Sequence, residues 1–248
     1  MQKKRRYKSH KSIRLRTVYV FLAALLCLLA AAWQFGRKET DDTAYVLLEV
    51  DEEELLAQLP PYEGAPSVEI NGGVPFSMEP PEADEDYGPL DALGRCTRAF
   101  ARVGPETLPL EEREDVRAIR PSGWNNARYE GIDREFLFNR CHLIGYQLTG
   151  ENANERNLIT GTRYMNVEGM LPYENAVGSY VRRTGHHVLY RVTPLFRGSD
   201  LIAAGVLMEA QSVEDDGLRF CVFCYNVQPG IEIDYVTGES SGPGRLAA

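Results

Sequence analysis

Phe138-Asn139-Arg140-Cys141-His142-Leu143-Ile144-Gly145-Tyr146-Gln147-Leu148-Thr149-Gly150 is the stretch whose reading decides this chain. A short run ending at His142 reads as extended backbone and passes into an apolar segment. The polar loop Glu151-Asn152-Ala153-Asn154-Glu155-Arg156-Asn157 follows, and Arg163-Tyr164-Met165-Asn166 opens the next element. Glu174 stands eight positions beyond Asn166. A histidine, spaced carboxamides, arginines and a carboxylate thus fall close together. Carboxamide oxygens are hard ligands suited to a cation that keeps much of its water. An imidazole titrating near neutrality can take a proton from water. Together they point to phosphodiester hydrolysis around one divalent ion.

The flanking segments set the fold class. Residues 165–183 have helical spacing in their second half, where Tyr173, Val177, Tyr180 and Val181 share one face, and Gly185 ends the pattern. Leu171-Pro172 suggests a helix beginning near the proline, with Asn166 in the turn before it. Residues 188–195, 201–212 and 220–227 read as three strands, and 93–103 as another. Asn71-Gly72-Gly73, between apolar residues 68–70 and 74–76, predicts a small hairpin. Helices on an antiparallel sheet make an α+β domain.

Charge divides the chain. Residues 1–38 carry ten Lys or Arg and no acid, leaving 17 basic and 36 acidic residues beyond them. The basic start, residues 1–17, precedes an uncharged apolar run at 18–35. That run would rise about 27 Å as a helix at ~1.5 Å per residue, enough for a thin hydrocarbon core. Flanking positive charge places its start in the cytoplasm. We therefore expect a cell-membrane, single-pass signal anchor with an extracellular catalytic domain. Secretion after cleavage near Ala30-Ala31-Ala32 is the alternative. Residues 36–65 read as an acidic linker, 66–241 as the domain and 242–248 as a tail.

Five cysteines add little. Cys27 lies in the apolar run, and Cys96, Cys141, Cys221 and Cys224 fix no disulfide connectivity. Cys221-Val-Phe-Cys224 lies in an alternating run, so its two thiols should face opposite ways. Without a second such pair it argues against a zinc knuckle.

Each candidate has an ordinary reading as well. His142 could be a core histidine, Asn157 or Asn166 a cap or turn residue, and Glu174 a first-turn acid favoured by the helix dipole. Arg140, Arg156, Arg163, Arg182 and Arg183 could serve phosphate oxygens or plain surface ion pairs. Arg140 and Arg163 adjoin the expected site most closely. The acidic bulk argues against tight nucleic-acid binding through a broad basic field.

Asn139-Arg140-Cys141-His142 through Gln147, together with Asn157-Leu-Ile-Thr-Gly-Thr-Arg-Tyr-Met-Asn166, resembles the DNA/RNA non-specific endonuclease family. That family has a ββα-metal (His-Me finger) active site, and the likeness is greatest to its competence-associated bacterial branch. It covers roughly residues 66–238. The family's usual motif is Asp-Arg-Gly-His, so Arg140 and His142 match while Asn139 and Cys141 depart from it. The resemblance implies His142 as general base, Asn166 as metal ligand, Asn157 supporting the metal's water shell and Glu174 as an outer partner. Arg140 and Arg163 would position the backbone. Mg²⁺, with Mn²⁺ able to substitute, would be the cofactor, DNA and also RNA the partners, and 5′-phosphate ends the products. Asn139 cannot supply the negative charge of the usual aspartate. A catalytically inactive surface nucleic-acid-binding protein of the same fold is the alternative function.

Overall fold

The computed structural model describes residues 52–78, 83–113 and 115–247. The basic start, the apolar run at 18–35 and most of the acidic linker lie outside the described residues. No helix among the described residues is long and apolar enough to cross a membrane.

The fold is α+β, built on a six-stranded antiparallel sheet. Its strands are β1 (Ser67–Glu69), β2 (Glu85–Tyr87), β3 (Ala99–Val103), β6 (Val188–Leu195), β7 (Gly205–Ser212) and β8 (Arg219–Tyr225), in the order β1-β8-β7-β6-β3-β2. Alternation decides both faces. On β8, Phe220, Val222 and Cys224 point into the main core, while Cys221, Phe223 and Tyr225 point into a second cluster on the other side. Cys221 and Cys224 therefore face opposite ways, as the strand reading requires. Cys96, Cys141, Cys221 and Cys224 are all free thiols.

The main core face is covered by a smaller unit that carries the chemistry. β4 (Phe138–His142) and β5 (Leu158–Thr162) form an antiparallel ribbon with His142 opposite Leu158. A four-residue helix, α2 (Tyr146–Thr149), lies between them. A π-helical turn, Met165–Met170, then runs into α3 (Leu171–Thr184). Val177, Tyr180 and Val181 of α3 are buried against the sheet. At roughly 1.5–3 kcal/mol per fully buried large apolar side chain, that face is a principal anchor of the ribbon. Gly185 ends the helix in the left-handed conformation, at φ 72°.

One expectation is corrected. Residues 68–76 do not form a hairpin: β1 pairs with β8, and Asn71–Gly73 is a short 3₁₀ turn. The local turn signal is real, but the exposed strand edge of β8 wins the pairing. The acidic linker ends in a helix, α1 (Glu52–Gln58), and Leu55, Leu56, Leu59 and Tyr62 pack on the second sheet face. The residues after 241 also engage the domain, since Glu130 donates to the Gly244 carbonyl and Leu246 to that of Arg128.

Candidate active site

Strand alternation places Arg140 and His142 on the same side of β4, with Cys141 turned into the core. Arg140 and His142 line a cleft of about 340 Å³ with Arg113, Gly145, Tyr146, Gln147, Arg163, Asn166, Val167, Leu171 and Glu174. The fold thus gathers His142, Arg140, Asn166, Glu174 and Arg163 into one cleft, as the sequence suggested.

His142 is buried, and its Nε2 lies 2.9 Å from the Asn152 carbonyl oxygen. A carbonyl can only accept, so Nε2 carries the proton and Nδ1 keeps the lone pair. Arg113 Nη2 donates to that Nδ1 at 3.1 Å. Burial, assisted by the Arg113 charge, brings the His142 pKa down to about 4, against the pull of the Asn152 bond. The imidazole is therefore neutral, with a fixed tautomer and its basic nitrogen facing the cleft.

Glu174 sits in the first turn of α3 and is buried. Gly145 makes the close approach of its carboxylate feasible, because a Cβ there would lie 2.7 Å from Oε2. Gln147 Nε2 donates to it at 3.5 Å, and burial pushes the carboxyl pKa up to about 7. Asn166 lies in the π turn, whose Leu171 N–H reaches back to the Asn166 carbonyl. Eight α-helical steps would leave Asn166 about 80° out of line with Glu174, and the wider π turn reduces that offset. Both side chains consequently line the cleft.

This donor set fits a hard divalent cation. Glu174 is a buried carboxylate with no guanidinium at ion-pair distance among the described residues, and a cation beside it would relieve the cost of its ionisation. Asn166 adds a neutral oxygen. Among the described residues no group of three or more His, Cys, Asp or Glu is placed to hold a metal. A cation here would accordingly keep most of its water.

Asn157 holds backbone, the ordinary role its sequence context also allowed. It is fully buried behind the cleft, where Oδ1 accepts from the Ile144 N–H at 2.9 Å and Nδ2 donates to the Ile144 carbonyl at 3.0 Å. It pins the chain after His142. Arg140 is held by the carbonyls of Ile119 and Arg117 and lies 4.2 Å over the Trp124 ring. Arg163 pairs with Asp133, and its buried Nε has no partner. Arg113, Gln147 and Asn152 were not singled out from sequence. Arg113 stands among Glu111, Glu112 and Glu114, which reads as a solvated charge run.

A model of the DNA/RNA non-specific endonuclease family matches residues 78–214. The chain belongs to this family. It is 28% identical over 198 residues to a protein named deoxyribonuclease from Streptococcus dysgalactiae subsp. equisimilis, with 63% of this chain aligned. The alignment spans 60% of that relative's length. Among solved structures, NucA from Streptococcus agalactiae with a magnesium ion bound superposes with a TM-score of 0.66. It is 26% identical, with 75% of this chain and 91% of that one covered. The Sda1 nuclease with a bound zinc ion gives a TM-score of 0.56 at 28% identity, over 67% and 81% of the two chains. A likeness to nucleases thus accompanies the ribbon, helix and cleft described above.

Proposed function

We propose that this chain is a metal-dependent, sugar-non-specific endonuclease that hydrolyses phosphodiester bonds of DNA, and of RNA, outside the cell. One observation carries the reading. A neutral histidine with a fixed tautomer presents Nδ1 to a cleft that also holds a carboxamide oxygen, a buried carboxylate and three arginines. That combination can remove a proton from water beside a phosphate.

Asn166 and Glu174 would hold Mg²⁺, with Mn²⁺ able to replace it, Asn166 directly and Glu174 through the ion's water. When bound, the cation would stabilise negative charge developing on the phosphate and leaving oxygens. Arg113, Arg140 and Arg163 bring positive charge for the phosphodiester. Arg113 occupies the His142 Nδ1 position, so a phosphate that draws the guanidinium away also exposes the base to water. Water then attacks phosphorus as Nδ1 takes its proton, the P–O3′ bond breaks, and the leaving 3′ oxygen takes a proton from water to become a hydroxyl. The resemblance implies products with 5′-phosphate ends.

The test is plasmid nicking and single-strand degradation with Mg²⁺, with Mn²⁺ and with EDTA. Cleavage should require metal, and His142→Ala and Asn166→Ala should each remove most of it while the thermal transition persists. Wild-type turnover by either folded variant would refute the assignment.

For location, the basic residues 1–17 and apolar residues 18–35 support a single-pass membrane anchor with the catalytic domain outside. Protease shaving of intact cells should remove the nuclease domain; its full protection would refute this placement.

A further inference from the structure

Cys141 is a buried nucleophile-type side chain that the proposed reaction does not use. It lies on the core face of β4, between Arg140 and His142, and is fully inaccessible. Its Sγ is 3.1 Å from Asn166 Oδ1 and 3.4 Å from Met170 Sδ. A thiol has one proton; an amide oxygen is a better acceptor than a thioether, and the other oxygen in reach, the His142 backbone carbonyl, is farther away at 3.7 Å. The proton therefore goes to Oδ1.

Two further observations show that this contact is built into the site. Gly161 leaves the room Cys141 needs, because a Cβ there would lie 2.7 Å from Cys141 Cβ and 2.8 Å from Met165 Cε. Among the described residues, no other side chain is hydrogen-bonded to the Asn166 carboxamide. The terminal torsion of an asparagine is soft, so without a partner the carboxamide would sample a broad range of directions.

We propose that Cys141 is a positioning residue for cation binding, its thiol donating to Asn166 Oδ1 and so fixing where that oxygen aims its remaining lone pair. The proposal rests on the reading of Asn166 as the metal ligand. An oxygen with two lone pairs can accept the thiol proton and still serve a cation. The buried thiol therefore supports the cleft from the core side, without touching substrate or metal.

The experiment is metal binding by the purified full-length chain without nucleic acid, using calorimetry for Mg²⁺ and electron paramagnetic resonance for Mn²⁺. The variants are Cys141→Ala, Cys141→Val, Cys141→Ser and Asn166→Ala. Alanine and valine cannot donate, and valine also fills the space if alanine does not fold. Both should weaken binding by about threefold to tenfold, the range for one lost hydrogen bond. Serine, which keeps a donor, should stay within about twofold of wild type. At saturating metal the kcat of the alanine and valine variants should recover, since only occupancy is affected. Wild-type affinity in folded Ala or Val variants, with binding lost in Asn166→Ala, would overturn the role of Cys141 alone. Wild-type affinity in Asn166→Ala would overturn the metal-ligand reading itself.

Discussion

Replacing Asn157 by alanine should separate a structural role from a metal-site role. The side chain is fully buried and makes two hydrogen bonds, to the N–H and the carbonyl of Ile144. Ile144 is itself fully buried, so truncation would leave a donor and an acceptor without partners. Each such group costs roughly 1–3 kcal/mol, so we expect about 2–6 kcal/mol in total. For a domain of this size that lowers the melting temperature by about 4–24 °C. Asn157→Asp retains size and one acceptor but sets a carboxylate oxygen against the Ile144 carbonyl, so it should also destabilise. Calorimetric unfolding of the metal-free chain measures the first effect, and Mg²⁺ titration well below the transition measures the second. Affinity should stay within about twofold of wild type. An unchanged melting temperature with strongly weakened Mg²⁺ binding would refute this account and return Asn157 to the metal's water shell.

Three further outcomes follow from the site's charges. Glu174 has a folded pKa of about 7 against an ordinary 4.5, so metal-free stability should fall as pH rises from 4.5 to 7, by on the order of 3 kcal/mol. Glu174→Gln should flatten that slope and saturating Mg²⁺ should offset it, and thermal scans showing no slope in wild type would contradict the burial argument. His142, at about 4, stays neutral while the unfolded chain's histidine protonates below its ordinary 6.5, so this group costs stability as pH falls through that window. Its imidazole resonance, identified by loss in His142→Ala, should titrate below pH 5; a midpoint near 6.5 would count against the assigned tautomer and burial. Arg113→Ala should lower kcat/KM on DNA by about 10- to 100-fold, as expected for a charge-assisted hydrogen bond, and make cleavage less sensitive to salt. Unaltered kcat/KM would remove Arg113 from the phosphate site.

Much of this was legible because it is periodic. β6 alternates between buried and half-buried residues, β7 and β8 are short apolar runs buried on both faces, and Tyr180 and Val181 mark the buried face of α3, so sheet and helix could be read from the chain itself. β1 could not. Its partner lies about 150 residues away on β8, and Asn71-Gly72-Gly73 offered a nearer but mistaken pairing. In the site, the spacing of Arg140 and His142 fixes their common face, while the π turn that aims Asn166 has no period to reveal it. Arg113 was hidden by its acidic neighbours. Asn157 had two readings in the sequence, because a carboxamide that holds backbone and one that serves a cation look alike there; the contacts to Ile144 show the first.

An acidic domain with a small cationic cleft has a mechanistic consequence. Residues beyond 38 carry 36 acidic and 17 basic side chains, yet the cleft joins Arg113, Arg140 and Arg163 to a single carboxylate. On the proposed function, phosphate would be attracted only at short range, and a cleaved polyanion would be released readily once it left the cleft. Within the cleft, Arg113 acts on both titrating groups: its charge depresses the His142 pKa and also favours ionised Glu174. A phosphate that pairs with Arg113 cancels this charge where it faces His142. The base then becomes stronger at the moment its lone pair is freed. Glu174 would lose some support at the same step, and a cation held with Asn166 would restore it. On the proposed function, metal and substrate would thus be complementary: one would sustain the carboxylate, and the other would release the base.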